Sequence, residues 1–213
     1  MSIEIVWDME TGDPDDFLTL LFLAGHPHVT LRAVTVTPGG ADQIAVVRWG
    51  LRELGLGNVP VGAFTNPAEQ EQLDQKKKGR VLSRVSGWHW RAYGIPRGRD
   101  YDAEEGWKVL REHMGPQTTL VTGAPLKNLG RLLRNTADTP LGRLFAQGGF
   151  AGEGVIPREQ QLEKFRGMRT CPTFNLNGAP KAALAAAVSP RFSDRRFISK
   201  NVCHGVYLSL IHI

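Results

Sequence analysis

The stretch Ile3-Glu4-Ile5-Val6-Trp7-Asp8-Met9-Glu10-Thr11-Gly12-Asp13-Pro14-Asp15-Asp16-Phe17-Leu18-Thr19-Leu20-Leu21-Phe22-Leu23-Ala24 decides the fold of this chain. Its first apolar run, Ile3 to Trp7, reads as a β-strand, and its second, Phe17 to Ala24, as the body of a helix from Asp15 to Gly25 that is buried on most sides. Between them lie five carboxylates, Asp8, Glu10, Asp13, Asp15 and Asp16. A strand that stops at a loop and restarts as a helix sets that loop at the carboxyl edge of a sheet, where open α/β proteins keep their ligands. Crowded acids repel one another, and their pKa values rise unless a cation or a set of donors offsets the charge. A divalent metal is the simplest remedy. Helix capping explains part of the cluster, with Asp13 as N-cap, Pro14 at the first helical position, and Asp15 and Asp16 in the first turn against the helix dipole. It leaves Asp8 and Glu10 without a task.

Outward from this stretch, apolar runs alternate in the same way. Val29 to Val36 reads as a strand, and Ala41 to Leu54 as a helix with Ile44, Val47, Leu51 and Leu54 at helical spacing. Val59 to Phe64 is a third strand after the Gly55-Leu56-Gly57-Asn58 turn. Asp102 to His113 reads as a helix, Thr118 to Thr122 as a strand, and Pro125 to Leu133 as a helix opened by proline. The expected fold is α/β: a Rossmann-like, open, mostly parallel sheet with helices on both faces. Loops that follow its strands share one edge. Asp8 to Asp16, Thr37-Pro38-Gly39-Gly40 and Thr122-Gly123-Ala124-Pro125 should therefore face one crevice. A carbonyl of the Thr122-Gly123 turn can complete a hard-cation site begun by the carboxylates, since calcium takes about six to eight oxygen ligands.

With 213 residues, 41% hydrophobic and 22% charged, the chain suits a single globular domain over residues 1–213 rather than a disordered or fibrous protein. No apolar run is long enough to cross a membrane, and Met1 to Trp7 lacks the pattern of a signal peptide, so a soluble cytoplasmic protein is expected. Cys171 and Cys203 have no CxxC spacing, which argues against a disulfide framework and a thiolate zinc site. The net charge of +5 gathers in Lys76, Lys77, Lys78, Arg80 and Arg84, and in Arg91, Arg97 and Arg99 beside Trp88, His89, Trp90 and Tyr93. Basic residues interleaved with aromatics can bind single-stranded nucleic acid. A solvated surface segment is the commoner meaning, and no nucleic-acid partner is expected.

Ile5-Val6-Trp7-Asp8-Met9-Glu10-Thr11-Gly12, followed by Asp15-Asp16, resembles the amino-terminal signature of the inosine-uridine-preferring nucleoside hydrolases, D-x-D-x-G-x-D-D after an apolar strand. Later segments match in order. Ala33-Val34-Thr35-Val36 with Gly39 resembles the family's second strand and glycine turn, and Val121 to Asn128 resembles V-P-T-G-P-L-T-N. Gln147-Gly148-Gly149 resembles M-G-G, and Phe174-Asn175 followed by Ala179-Pro180-Lys181-Ala182-Ala183 resembles E-F-N followed by D-P-E-A-A. The resemblance implies a calcium-dependent hydrolase that splits the bond between nucleobase and ribose of a small nucleoside, and a homo-oligomer. By position it implies that Glu10 ligates calcium and activates the attacking water, with Asp8 as the other catalytic candidate. Asp16 would be a second ligand, and the carbonyl of Gly123 or Thr122 a third, the ungapped match favouring Gly123. Asp15 would hold the ribose hydroxyls and Asn175 the sugar. Glycosidic cleavage passes through an oxocarbenium-like state, which carboxylates stabilise while a base deprotonates water.

The chain departs from the pattern at several points. Glu10 stands where the family has Asp, with one extra residue before Asp15-Asp16; Thr173 replaces the Glu of E-F-N, and Gly40 a frequent Asn. Ser86-Gly87-Trp88-His89-Trp90 falls near the family's His-containing loop. His89 as proton donor to the leaving base, with Trp88 or Trp90 stacking on that base, stands there beside plain aromatic packing. Two other classes share the acidic motif. Asp8-Met9-Glu10-Thr11 is similar to the D-x-D-x-T of haloacid-dehalogenase-like phosphatases, with Asp8 as nucleophile and Lys127 as phosphate partner. A non-catalytic, metal-binding regulatory domain is the third reading. Finally, Asn201 to Ile213 ends in an apolar, strand-like run, and no Asp follows Asp194 to match the family's last calcium ligand. A carboxyl-terminally incomplete chain that binds calcium weakly and hydrolyses little is the expectation.

Overall fold

In the computed structural model, which describes residues 2–65, 72, 75, 76 and 84–206, β1 (Ile3–Met9) stands at the centre of a seven-stranded sheet. The elements that follow it are α1 (Asp15–Gly25), β2 (Val29–Val36), α2 (Ala41–Glu53), β3 (Val61–Ala63), α3 (Gly87–Arg91), β4 (Glu104–Glu105) and α4 (Gly106–His113). Then come β5 (Thr119–Thr122), α5 (Lys127–Asn135), β6 (Gly142–Gln147), α6 (Phe174–Asn177), α7 (Pro180–Val188), β7 (Phe192–Ile198) and α8 (Lys200–Cys203). The strand order is β4-β3-β2-β1-β5-β6-β7, and every neighbouring pair is parallel.

Two apolar layers explain why β1 is hydrophobic at successive positions. Ile5, Trp7 and Met9 pack with Phe17, Leu20 and Leu23 of α1 and with Ile44, Val47 and Leu51 of α2. Val6, on the other face, packs with Leu110 of α4, Leu129 and Leu132 of α5, and Ala183 and Ala186 of α7. A parallel strand covered on both sides has no polar face to show. The expected open α/β sheet with helices on both faces is therefore what the chain forms. Because the chain builds β2 and β3 on one side of β1 and β5 to β7 on the other, the β1/β5 boundary is the topological switch point, where α/β proteins open a crevice beyond the strand ends.

Several local expectations need correction. Residues 102–105 are not helical: Glu104 and Glu105 pair with Gly62 and Ala63, and the ladder overrides helix propensity. Helix α4 starts only at Gly106, where a Cβ would overlap the side-chain amide of Asn128. The third strand shrinks to Val61–Ala63. Helix α1 buries one stripe rather than most of its circumference, since Leu18 and Phe22 are exposed. Its N-cap is Pro14, with no side-chain cap, so Asp13 does not serve there. Lys77, Lys78 and Arg80 of the basic run and the terminal stretch 207–213 lie outside the described residues. No described helix is long and apolar enough to cross a membrane.

Candidate functional site

The switch point is closed at its base by Asp8. Its neighbours in register are Thr35 on β2 and Thr122 on β5, and both hydroxyls donate to its carboxylate, at 2.6 and 3.2 Å. Asn128 Nδ2, one residue into α5, adds a third bond at 3.0 Å. The side chain is wholly buried, and burial pushes its carboxyl up to about 6 in spite of the three donors. Directly above, Gly123 N donates to the carbonyl of Asp8 at 3.0 Å, tying the turn after β5 to the end of β1.

The acidic loop continues from this anchor. Glu10 N donates to Asp16 Oδ2 at 2.9 Å, and the Glu10 carboxylate folds back to accept from Gly12 N at 2.5 Å and Asp13 N at 3.3 Å. Asp16, in the first turn of α1, is buried with its carboxylate against Gly123. Burial, and then the charges of Asp15, Glu10 and Asp8, raise its pKa well above the usual carboxylate range, against the opposing bond from Glu10 N. Burial raises Glu10 as well, against the pull of the Gly12 and Asp13 amides. Asp15 is exposed and accepts from Asp16 N at 3.0 Å.

Beyond these residues lies a cavity of about 300 Å³. Glu10, Asp13, Asp15, Asp16 and Gly123 contribute to its lining from the β1 and β5 loops; Gln147, Gly148 and Gly149 come from the end of β6, and Thr173, Phe174 and Asn175 from the start of α6. Lys200 and His204 complete it. Asn175 Nδ2 donates to the carbonyl of Gln147 at 3.1 Å and to Gln147 Oε1 at 2.5 Å, while its Oδ1 is buried without a partner among the described residues. An unpaired buried acceptor on a cavity wall is ready for a ligand donor.

The structure thus brings together Glu10, Asp15, Asp16, Gly123 and Asn175 on one cavity. It does not bring the other candidates there. Asp8 and the Thr122 side chain are bonded to each other below it. His89 is wholly buried, with Nδ1 3.1 Å from Ser86 Oγ and its ring edge-on to Phe17 and Tyr93; burial lowers its pKa. Trp88, its neighbour on the five-residue α3, is 58% exposed, and neither ring lines the cavity. Lys200, His204 and Gln147 escaped notice as site residues. The rule that loops after parallel strands share one edge, extended to β6 and β7, would have found all three.

Among the described residues no three His, Cys, Asp or Glu side chains converge as a preformed metal site. The donor chemistry nevertheless fits a hard cation: Glu10 and Asp16 offer carboxylate oxygens beside the Gly123 turn, and a cation there would favour the charged forms that burial, first, and the neighbouring acids disfavour. The phosphatase reading fits poorly. Its nucleophile would be an Asp8 enclosed by three donors, and Lys127 Nζ stands over the ring of Phe64, 5.4 Å from its centroid.

These observations define an open, doubly wound α/β protein with a polar cavity at its switch point. Solved structures sharpen the description. The chain superposes on a plant nucleoside hydrolase with a TM-score of 0.67 at 16% identity, covering 98% of this chain and 63% of that one. It matches an inosine-uridine preferring nucleoside hydrolase from Bacillus anthracis at TM-score 0.65 and 17% identity, with coverages of 98% and 68%. An inosine-guanosine nucleoside hydrolase follows at 0.60 and 15%, with coverages of 98% and 65%. The fold is that of the nucleoside hydrolases. In sequence the chain is 29% identical over 212 residues to an uncharacterized protein of Aquifex aeolicus (strain VF5), which covers 97% of this chain and 66% of that protein. No family model matches it. The chain spans about two thirds of the length of these relatives.

Proposed function

We propose that the chain carries the site of a nucleoside N-ribohydrolase, which splits a ribonucleoside into free base and ribose by calcium-assisted attack of water. The observation that supports this most directly is the meeting of Glu10, Asp15, Asp16, Gly123 and Asn175 on one cavity at the switch point of a nucleoside hydrolase fold.

Each residue then has a task. The exposed Asp15 carboxylate grips the cis-diol of ribose, a pair of donors matched to two acceptor oxygens. Asn175 Oδ1, unpaired among the described residues, accepts from a further sugar hydroxyl. Glu10 takes a proton from the attacking water. The water oxygen bonds to C1′ as the C1′–N bond breaks, the bonding pair leaves with the base, and the neighbouring carboxylates stabilise positive charge on the ring. Glu10, Asp16 and the carbonyl of Gly123, or of Thr122 beside it, would hold calcium, for which Glu10 turns away from the Gly12 and Asp13 amides. When bound, a hard cation lowers the pKa of a ligated water and fixes its position. The proposal carries with it a small-molecule substrate and a homo-oligomer, as the resemblance implies, and the cytoplasmic setting expected from the sequence.

The test is a panel of ribonucleosides assayed for release of base and ribose, with calcium and with chelator. Calcium-dependent release from at least one of them is expected. If no nucleoside is cleaved and calcium binds without effect, the non-catalytic metal-binding reading replaces this one.

A further inference from the structure

The acidic residues account for one end of the cavity, while the other end has the opposite charge and no task so far. Lys200 opens α8, and its backbone N donates to the carbonyl of Gly149 at 3.0 Å, which seats it beside the glycine turn of the cavity. Its Nζ donates to the carbonyl of Pro172 at 2.7 Å and lies 3.6 Å from Cys171 Sγ. An ammonium has three donors, and a carbonyl and a weakly accepting thiol leave capacity for a ligand. Four residues on, His204 lines the same cavity with Nδ1 2.9 Å from Lys164 Nζ. That contact makes Nδ1 the acceptor, so the proton of the neutral ring sits on Nε2 as a further donor. Burial and then the two ammonium charges hold the His204 pKa down, a sign of positive potential at this end.

Among the described residues neither Lys164 nor Lys200 forms an ion pair, and the lining contributed by residues 147–149 and 173–175 holds no carboxylate. Thr173, where the motif it resembles has Glu, is neutral and accepts from Gly149 N at 3.2 Å.

We propose that Lys200 and His204, whose ring Lys164 fixes through Nδ1, hold a phosphate group, so that the substrate of this cavity is a ribonucleoside 5′-monophosphate. The inference rests on the N-ribohydrolase reading. With the 2′,3′-diol on Asp15, C5′ is the sugar position left to carry a phosphate. Phosphate in its dianionic form has no proton to give Asn175 Oδ1, which keeps that buried acceptor for the sugar. The charges are then segregated: the ring cation forms toward the carboxylates, and the dianion stays with Lys200 and His204. Water adds its oxygen to C1′, the C1′–N pair leaves with the base, which is protonated, and the phosphoester bond is untouched. The products are free base and ribose 5-phosphate.

Calorimetry with ribose, ribose 5-phosphate and inorganic phosphate reads the site without turnover, and base release from inosine, uridine and their 5′-monophosphates reads it with turnover. Ribose 5-phosphate should bind on the order of tenfold or more tighter than ribose or inorganic phosphate, and kcat/KM should favour nucleotide over nucleoside by a similar factor. Lys200→Gln should bring both ratios close to one, and Lys200→Arg, which keeps the charge, should largely restore them. Ratios near one in the unaltered protein, or ratios that survive Lys200→Gln, overturn the inference. Hydrolysis of nucleosides with none of nucleotides overturns it alone and leaves the N-ribohydrolase reading standing. Absence of base release from both classes, with metal present, defeats that reading and this inference together.

Discussion

The carboxylate of Asp16 lies against the α-carbon of Gly123, so close that a methyl group on that carbon would overlap Asp16 Oδ1. This contact joins the first turn of α1 to the turn after β5 across the switch point. The Gly123 backbone is not in the left-handed region, so the requirement for glycine is one of space. Gly123→Ala should therefore push Asp16 out of place, lowering stability by about 1–3 kcal/mol, the usual cost of overpacking. Thermal melts and calcium titrations measure the two effects. An unchanged melting temperature with unchanged metal affinity would show that the turn relaxes freely and that the contact is incidental.

The buried Asp8 predicts a pH dependence. Its pKa in the folded protein is pushed up to about 6, against an ordinary value of about 3.9 in an unfolded chain. The folded state holds the proton more tightly, so the stability contributed by this group is full below about pH 4 and is lost as pH rises through about 6. The loss is about 3 kcal/mol at about 1.4 kcal/mol per unit. His89, lowered by burial, acts in the opposite sense on acidification, so the comparison is the difference between wild type and Asp8→Asn. Urea unfolding at pH 5 and pH 7.5 should show Asp8→Asn gaining relative to wild type at the higher pH. A difference that does not change with pH would mean Asp8 ionises normally inside its three donors.

Glu10→Gln keeps side-chain volume and an oxygen for the Gly12 amide but removes the proton acceptor. Turnover should fall roughly 10²- to 10⁴-fold, the range for loss of a general base, with little change in melting temperature. Near-normal rates would move the base to Asp13 or Asp15, which line the same cavity.

Asp15 and Asp16 are adjacent in sequence but differ in setting, one exposed and one buried against Gly123. Asp15→Asn should raise KM and lower kcat while leaving calcium affinity close to that of the wild type. Asp16→Asn should weaken calcium binding much more. Calorimetry on both variants decides the matter, and equal losses would mean that the two acids share the ion.

Much of the framework was legible in the chain because its signals are local. The period of apolar residues set α1 at its observed bounds and β2 likewise, the loop-edge rule placed Asp15, Asp16 and Gly123 on one side of the sheet, and the motif resemblance pointed to Asn175. What escaped depends on contacts distant in sequence. Whether Asp8 faces the cavity or hides beneath it is decided by Thr35, Thr122 and Asn128, and no spacing within residues 8–16 reveals them. His89 reads like an acid near a site until Phe17 and Tyr93 enclose it. The short β4 escaped because two residues carry no period, and their strand state comes from pairing with β3. Lys200 and His204 sit after the last strand, in a segment where the resembled motifs had already ended.

The hydrogen bonds at Asp8 also carry a chronology. Thr35 lies 27 residues from it, but Thr122 and Asn128 lie 114 and 120 residues away. During synthesis β1 and β2 can pair as soon as residue 36 is available, while β5 cannot join until more than 80 further residues have been made. Closing so large a loop is entropically costly, and such distant pairings are formed slowly. Until that closure Asp8 lacks the Thr122 and Asn128 donors, and Asp16 has no Gly123 to lean on. The crevice is accordingly a late product of folding, complete only when the two halves of the sheet meet.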